Sequence, residues 1–312
     1  MTFSIVIPTY NGSKYIAQAI ESVLAQTRKP DEIIISDDNS SDDTVEICRK
    51  YEPQVKIVVN KNGPSGFVNG WNNAIALATS EFISILHQDD LLAPDFLEEA
   101  EIALKKNPDV KHFFVPCNYI DGDGNIIRVP DYCDGEIRRL TGKEYVYEYR
   151  HKGEPKVHRC PGVITACSIF SQCRYREEAG HIADDDFFYR VGNFTDIVGL
   201  YKPLASYREH GGSETGHLMQ NQLVRRLLHD MDFQYRNAHL NPLFDKDIKG
   251  EFKFWKNKYI IRLFIYGLKN LKMDDVRCAS NYANIVDLVR YLSGYCRQFT
   301  ARLAKNLMGG VI

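Results

Sequence analysis

Ile83-Ser84-Ile85-Leu86-His87-Gln88-Asp89-Asp90-Leu91-Leu92 is the stretch whose reading decides the fold. A short β-branched, apolar run ends abruptly in two adjacent carboxylates, and the helix signal Ala93-Pro94-Asp95-Phe96 follows. A run bounded in this way reads as a buried parallel strand. Asp89 and Asp90 then stand at its carboxyl end, where open α/β sheets bind their ligands. Hard carboxylate oxygens there suit a divalent cation such as Mg²⁺ or Mn²⁺. From this stretch alone, a loop that merely caps the next helix accounts for the two aspartates equally well.

Upstream, Phe3-Ser4-Ile5-Val6-Ile7-Pro8 reads as a strand stopped by proline. Ile16, Ala19, Ile20, Val23 and Leu24 then form the apolar stripe of a helix lying on a sheet, with Ser13 or Asn11 available as its cap. Glu32 to Ser36 is a second strand, running into Asp37-Asp38-Asn39-Ser40-Ser41-Asp42, and a helix from about Asp43 to Lys50 follows. Val55 to Val59 is a third strand. The loop Asn62-Gly63-Pro64-Ser65-Gly66 leads into a helix through Trp71, Ile75 and Ala78. Strand and helix alternate over short connections, which predicts right-handed βαβ units and a Rossmann-like, mostly parallel sheet flanked by helices.

Downstream, the spacing predicts a helix from Pro94 to Lys106, with proline at its first position and lysines in its last turn. Val110 to Val115 is a further strand. Asp121-Gly122-Asp123-Gly124-Asn125 looks like a calcium loop, but Ile126 and Tyr132 stand where an EF-hand needs Gly and Glu, so a hairpin turn is expected. Tyr132 to Pro161 is irregular and polar and reads as a mobile loop carrying acceptor contacts. Val163 to Phe170 is apolar, Asp184 to Arg190 an acidic loop entering a short helix, and Thr195 to Tyr207 strands. After Thr215 the pattern is helical, over Leu218 to Arg236, Ile248 to Leu271 and Asp275 to about Leu307. The organisation expected is a catalytic domain over 1–215 and a C-terminal helical extension over 216–312.

The chain has 312 residues, 44% of them hydrophobic and 26% charged, which is ordinary for a globular protein with a sizeable core. Its formal charge of −2 argues against a chain-wide nucleic-acid binder, and no recognised nucleic-acid-binding motif accompanies the charge. The charge is uneven: twelve basic against four acidic residues from Lys249 onward leave +8 there and −10 before it, which points to two functional regions. None of the eight cysteines is in C-x-x-C spacing, so neither zinc nor a disulfide framework is expected, and a reduced cytoplasmic protein is the simpler reading. The first residues lack the pattern of a signal peptide, and no apolar stretch of about 18 residues could span a membrane.

Three carboxylate clusters end three elements: Asp37-Asp38, Asp89-Asp90 and Asp184-Asp185-Asp186. A parallel sheet brings the first two to one edge. The first strand is followed by Pro8-Thr9-Tyr10-Asn11 rather than G-x-G-x-x-G, which removes the dinucleotide fingerprint.

Ile5-Val6-Ile7-Pro8-Thr9-Tyr10-Asn11, with Gln18, Ser22 and Gln26 on the next helix, resembles the opening of the family 2 glycosyltransferases of GT-A fold. Ile35 to Asp42 is similar to that family's second motif, Leu86-His87-Gln88-Asp89-Asp90 to its metal motif, and Ala166 to Arg190 to its acceptor-side segment. The resemblance covers roughly residues 3 to 215. It implies that Pro8, Thr9, Tyr10, Asn11, Asp38, Asn72, His87 and Gln88 line the site of a nucleotide-sugar such as a UDP-sugar. Thr9, Tyr10 and Asp38 would hold base and ribose, while Asp37 props the loop. Asp89 would ligate the Mn²⁺ or Mg²⁺ that bridges the donor diphosphate, and His210 would approach that metal or diphosphate. Asp184 would be the general base, with Asp185 its rival; the spacing to Arg190 favours Asp184. The activity implied is inverting transfer of a hexose-type sugar to a saccharide or lipid-linked acceptor hydroxyl, in cell-surface polysaccharide or lipopolysaccharide assembly.

The chain departs from the family pattern at three positions. His87 stands where the metal motif usually begins with aspartate, Ala183 where a glutamate precedes the base, and Trp71 in place of an arginine. They bear on donor preference and rate more than on reaction class. Two other readings are a catalytically silent nucleotide-sugar-binding subunit, consistent with His87 and Ala183, and a sugar nucleotidyltransferase. The latter wants a glycine-rich basic loop where Pro8-Thr9-Tyr10-Asn11 stands. The basic C-terminal helices carry Phe252, Phe254, Trp255, Tyr259, Phe264 and Tyr266. They suit either peripheral contact with anionic lipid or packing on the catalytic domain with a solvated basic face.

Overall fold

The computed structural model describes residues 1–131, 133–151, 158–211, 223–269 and 279. It divides into two compact units, Met1–Ser213 and Glu214–Ile312. In the first, β1 (Phe3–Thr9), α1 (Ile16–Leu24), β2 (Glu32–Asp37), α2 (Thr44–Arg49), β3 (Lys56–Val59), α3 (Phe67–Ala76) and β4 (Phe82–Ile85) alternate as the apolar spacing requires. β5 (Leu91–Leu92), α4 (Phe96–Lys106), β6 (His112–Phe114), β7 (Cys117–Ile120) and β8 (Ile126–Arg128) follow. β9 (Ile137–Leu140), α5 (Gly142–His151), β10 (Val163–Ala166), α6 (Cys167–Phe170), α7 (Ala183–Val191), β11 (Ile197–Leu200) and β12 (Ala205–Arg208) complete it.

The main sheet has the order β3-β2-β1-β4-β10-β6-β11-β9. Its first four strands are parallel, β10 runs against β4 and β6, β11 is parallel to β6, and β9 is antiparallel at the edge. Ile5, Val6 and Ile7 are fully buried, as a central strand covered on both faces must be. A smaller sheet, β5-β12-β7-β8, begins where the chain leaves β4. The carboxylate pair Asp89-Asp90 therefore lies on the link between the two sheets, not on a free loop.

Several local expectations are corrected. No side chain caps α1; Gly12 O accepts the amides of Tyr15 and Ile16, while Asn11, at φ +47°, turns its side chain to Ser41. α4 begins at Phe96 with Asp95 as its N-cap, two residues beyond the proline expected to open it. The segment read as an irregular loop holds β9 and α5, while Tyr132 and residues 152–157 lie outside the described residues. Tyr145, Val146 and Tyr149 are buried, so the tyrosines supply an i, i+4 stripe that reads as polar in sequence but packs as core. Asp184, Asp185 and Asp186 all belong to the first turn of α7, where negative charge is favoured by the helix dipole.

In the second unit, helices Leu223–Asn237 and Lys246–Lys269 pack together. The helix expected from Asp275 to Leu307 lies outside the described residues, apart from Ala279. Among the described residues, no helix is long and apolar enough to cross a membrane. Cys48, Cys117, Cys133, Cys160, Cys167 and Cys173 are free thiols.

His112, on the interior strand β6 of the main sheet, is fully buried against Tyr145, Phe187 and Phe188. Its Nδ1 lies 2.9 Å from Thr165 Oγ1. Burial disfavours its charged form and pushes its pKa down to about 3. The folded chain keeps His112 neutral, whereas the unfolded chain protonates it below its ordinary value. Stability contributed by the neutral imidazole is therefore present above pH 6.5 and lost as the pH falls, by up to about 1.4 kcal/mol per pH unit in that window. Urea denaturation at pH 7 and pH 5 should show this loss, and His112→Gln should flatten it.

Candidate functional site

The end of β1 is held from two sides. Asp37, buried at the end of β2, accepts from Thr9 Oγ1 at 3.0 Å and from the Ser40 amide at 2.9 Å. Asn11 N donates to Ser40 Oγ at 2.9 Å, and Gly12 N to Thr44 Oγ1 at 2.8 Å. From the other side, Gln88 Oε1 accepts the Tyr10 amide at 2.9 Å while its Nε2 donates to Tyr10 O at 3.2 Å. The Tyr10 side chain is left exposed beside Pro8, a ring available to a ligand at the carboxyl end of the sheet. Asp38 is 7% exposed, and its carboxylate accepts from Asn60 Nδ2, the Ser65 amide and Ser65 Oγ. It therefore ties the β3–α3 loop to the end of β2.

The Asp89-Asp90 pair is split by its surroundings. Asp90 is 1% exposed and its Oδ1 accepts the Arg208 amide at 2.9 Å. Burial, reinforced by the Asp89 charge, pushes Asp90 up to about 6. His87 Nδ1 lies 3.6 Å from Asp90 Oδ2. Asp89 Oδ2 is 2.9 Å from His210 Nε2. Burial works against its charge too, but the His210 bond and the nearby imidazoles of His87 and His210 outweigh it and hold Asp89 below the usual carboxylate range. Asp89 is thus the ionised, reachable oxygen donor and Asp90 the structural one.

Arg208 is the residue of the candidate site that sequence reasoning missed. It is 1% exposed. Its Nε donates to Asp89 O at 2.7 Å, Nη1 to Asp121 O at 3.1 Å and Gly122 O at 3.3 Å, and Nη2 to Gln18 Oε1 at 2.8 Å. Its guanidinium lies 4.6 Å from the centre of the Tyr15 ring, and that ring is 4.7 Å from His210. One buried cation thus joins α1, the Asp89 backbone, the β7–β8 turn and β12, which ends two residues before His210. The signal was a lone arginine at a strand end, whose partners lie up to 190 residues away.

The three aspartates of α7 differ as sharply. Asp186 is clamped by Arg176 and by Arg190, whose Nε donates to it at 2.9 Å. Asp185 is buried and accepts Tyr149 Oη at 2.7 Å. Asp184 is half-buried, and its Oδ1 accepts the Asp185 amide at 2.8 Å. A chain of rings joins this turn to the metal motif. Tyr175 stacks on Phe187 of α7 at 4.5 Å and meets Trp71 edge-on at 5.2 Å, and Trp71 stacks on His87 at 5.0 Å. Asn72 Nδ2 fixes the junction by donating to Tyr175 O at 2.9 Å.

Among the described residues, no three His, Cys, Asp or Glu side chains form a closed metal cage. Asp89 and His210 instead offer one oxygen and one nitrogen at a single point. That fits a divalent ion that takes most of its ligands from substrate phosphates and water. Tyr15 Oη and His87 Nε2, both beside this pair, are buried without a hydrogen-bond partner among the described residues. Orphaned polar atoms at one place are a costly arrangement that a bound ligand would relieve.

The Glycosyl transferase family 2 profile matches residues 4–169. The chain is similar to the chondroitin synthase of Escherichia coli, at 36% identity over 127 residues, which are 40% of this chain but 18% of that protein. It is 36% identical over 126 residues to the GalNAc(5)-diNAcBac-PP-undecaprenol beta-1,3-glucosyltransferase of Campylobacter jejuni, covering 39% of this chain and 40% of that one. Among solved structures, the mannosyltransferase PcManGT from Pyrobaculum calidifontis, in complex with GDP-Man and Mn²⁺, shares the fold. Its TM-score is 0.56 at 16% identity, over 95% of this chain and 80% of that one.

Arg208→Met should lower stability by about 3 kcal/mol or more, because each buried acceptor left without its donor costs about 1–3 kcal/mol. Arg128→Met, which removes an exposed pairing with Glu209 and a contact with the Tyr119 ring, should cost about 1 kcal/mol. Urea denaturation of both variants checks this, and equal losses would contradict the role given to Arg208.

Proposed function

Because the chain belongs to glycosyl transferase family 2, we propose that it is a cytoplasmic, divalent-cation-assisted, inverting glycosyltransferase. It moves a hexose-type sugar from a nucleotide-sugar to a hydroxyl of a saccharide or lipid-linked acceptor. Cell-surface polysaccharide or lipopolysaccharide assembly is the process. The observation that carries this reading is the pairing of Asp89 with His210 on the link between the sheets, joined by Trp71 and Tyr175 to the turn that holds Asp184. The undecaprenol-linked substrate named for the Campylobacter relative supports a lipid-linked acceptor. The GDP-Man and Mn²⁺ bound by the Pyrobaculum neighbour support donor and metal.

Thr9 and Tyr10, with Pro8, Asn11 and Asp38, form the nucleotide end of the site, Asp38 acting by holding the Asn60–Ser65 loop. Asp89 and His210 hold the Mn²⁺ or Mg²⁺, which when bound offsets charge on the leaving diphosphate. Asp184 accepts the proton of the acceptor hydroxyl as its oxygen bonds to the anomeric carbon. The bond from that carbon to the diphosphate breaks on the opposite face, so the configuration inverts. Asp184 is favoured over Asp185 because it is the more exposed of the two, whereas Asp185 is buried against Tyr149. The basic C-terminal helices are assigned to a solvated surface in this reading.

Asp184→Asn should cut turnover by about 10²–10⁴-fold, the usual worth of a positioned base, while leaving donor binding intact. Turnover is read by release of nucleoside diphosphate, and binding by thermal shift with nucleotide-sugars in the presence and absence of Mn²⁺. Full turnover in the variant would overturn the assignment. Donor binding in the wild type that ignores Mn²⁺ would remove the cation.

A further inference from the structure

Phe67 and Trp71 stand at i and i+4 on α3 and so share one face of that helix. Both are half-buried. Phe67 stacks on His181 at 5.3 Å, three residues before Asp184, and lies 5.3 Å from Trp71. Trp71 touches His87, two residues before Asp89, and Tyr175, which stacks on the ring three residues beyond Asp184. The face therefore reaches both the segment that carries the candidate metal ligand and the segment that carries the candidate base. Any sugar passing from a diphosphate at the first to a hydroxyl at the second must cross between them. α3 contributes no charged residue to that crossing, since Phe67–Ala76 contains none.

We propose that Trp71 is the platform on which the transferred sugar stacks, and that it selects donors with an uncharged pyranose ring. The inference rests on the glycosyltransferase reading above. The C–H face of a pyranose is apolar and buries well against a wide, rigid aromatic surface. A carboxylated sugar laid on the same strip would lose water and gain no Lys or Arg from α3 in return. The departure from arginine to Trp71 is thereby a choice of substrate, made on a helix whose rings contact both segments.

The test is binding, not turnover. UDP-GlcNAc, UDP-glucose and GDP-mannose are titrated with Mn²⁺ alongside UDP, GDP and UDP-glucuronate, into the wild type, Trp71→Ala and Trp71→Phe. For the neutral donor that the wild type takes, Trp71→Ala should weaken binding at least tenfold, while its nucleoside diphosphate changes less than twofold. Trp71→Phe should recover most of the loss. The chain has two tryptophans, so in a Trp255→Phe background the emission of Trp71 should shift with that nucleotide-sugar and not with the bare nucleotide. This second readout does not depend on Trp71→Ala folding. Equal weakening of sugar-nucleotide and nucleotide, or none, or an emission change caused by the nucleotide alone, overturns the platform. UDP-glucuronate bound as tightly as the neutral donor overturns the selection. A wild type that binds none of these ligands overturns the glycosyltransferase reading and this inference together, whereas full turnover in Asp184→Asn removes only the base.

Discussion

The site depends on one buried guanidinium. The Arg208 guanidinium donates to neutral acceptors, three backbone carbonyls and the amide oxygen of Gln18, and lies over the Tyr15 ring. A cation is tolerated in such a place only when its donors are satisfied together. That requirement couples the elements supplying the acceptors. α1, the β4–β5 link, the β7–β8 turn and β12 cannot shift separately without stranding one of them. His210, two residues beyond Arg208, inherits its position from this arrangement, and so does the oxygen of Asp89 that it meets.

Environment, not residue type, decides what each carboxylate can do. Asp89 and Asp90 are adjacent, yet imidazoles hold the first ionised while burial raises the second. Along the first turn of α7, Asp186 is neutralised by two arginines, Asp185 is turned onto a tyrosine hydroxyl, and Asp184 stays half-exposed. Three consecutive aspartates point in three directions because helical residues advance about 100° each. The bonds of Asp185 and Asp186 are structural, and they hold the turn that carries Asp184.

The βαβ half of the chain was legible because its signals are local. The apolar run Ile5-Val6-Ile7, the β-branched Ile83 and Ile85 on either side of Ser84, the stripe from Ile16 to Val23, and the carboxylates that follow the strands are each local features of a few residues. The antiparallel insertions were less so. β9 carries Arg138 and Arg139 on an exposed edge, and α5 buries tyrosines that read as polar. Arg208 was illegible for another reason: its meaning resides in acceptors contributed by segments far away in sequence, and backbone carbonyls have no letter. The contact between Trp71 and His87, two separate oddities in the sequence, likewise becomes one feature only when β4 and α3 are folded side by side.

The turn Asp121–Asn125 has a consequence of its own. Hairpin tips are ordinarily where chains gain and lose residues most freely. Here the carbonyls of Asp121 and Gly122 are bonded to Arg208, and the side chain of Asp121 closes the turn by accepting from Asp123 and Asn125. Lengthening that tip, grafting a tag into it or resurfacing it would be felt in the interior. A protein engineer seeking a permissive insertion point should treat this loop as part of the framework that holds Arg208 and look elsewhere on the surface.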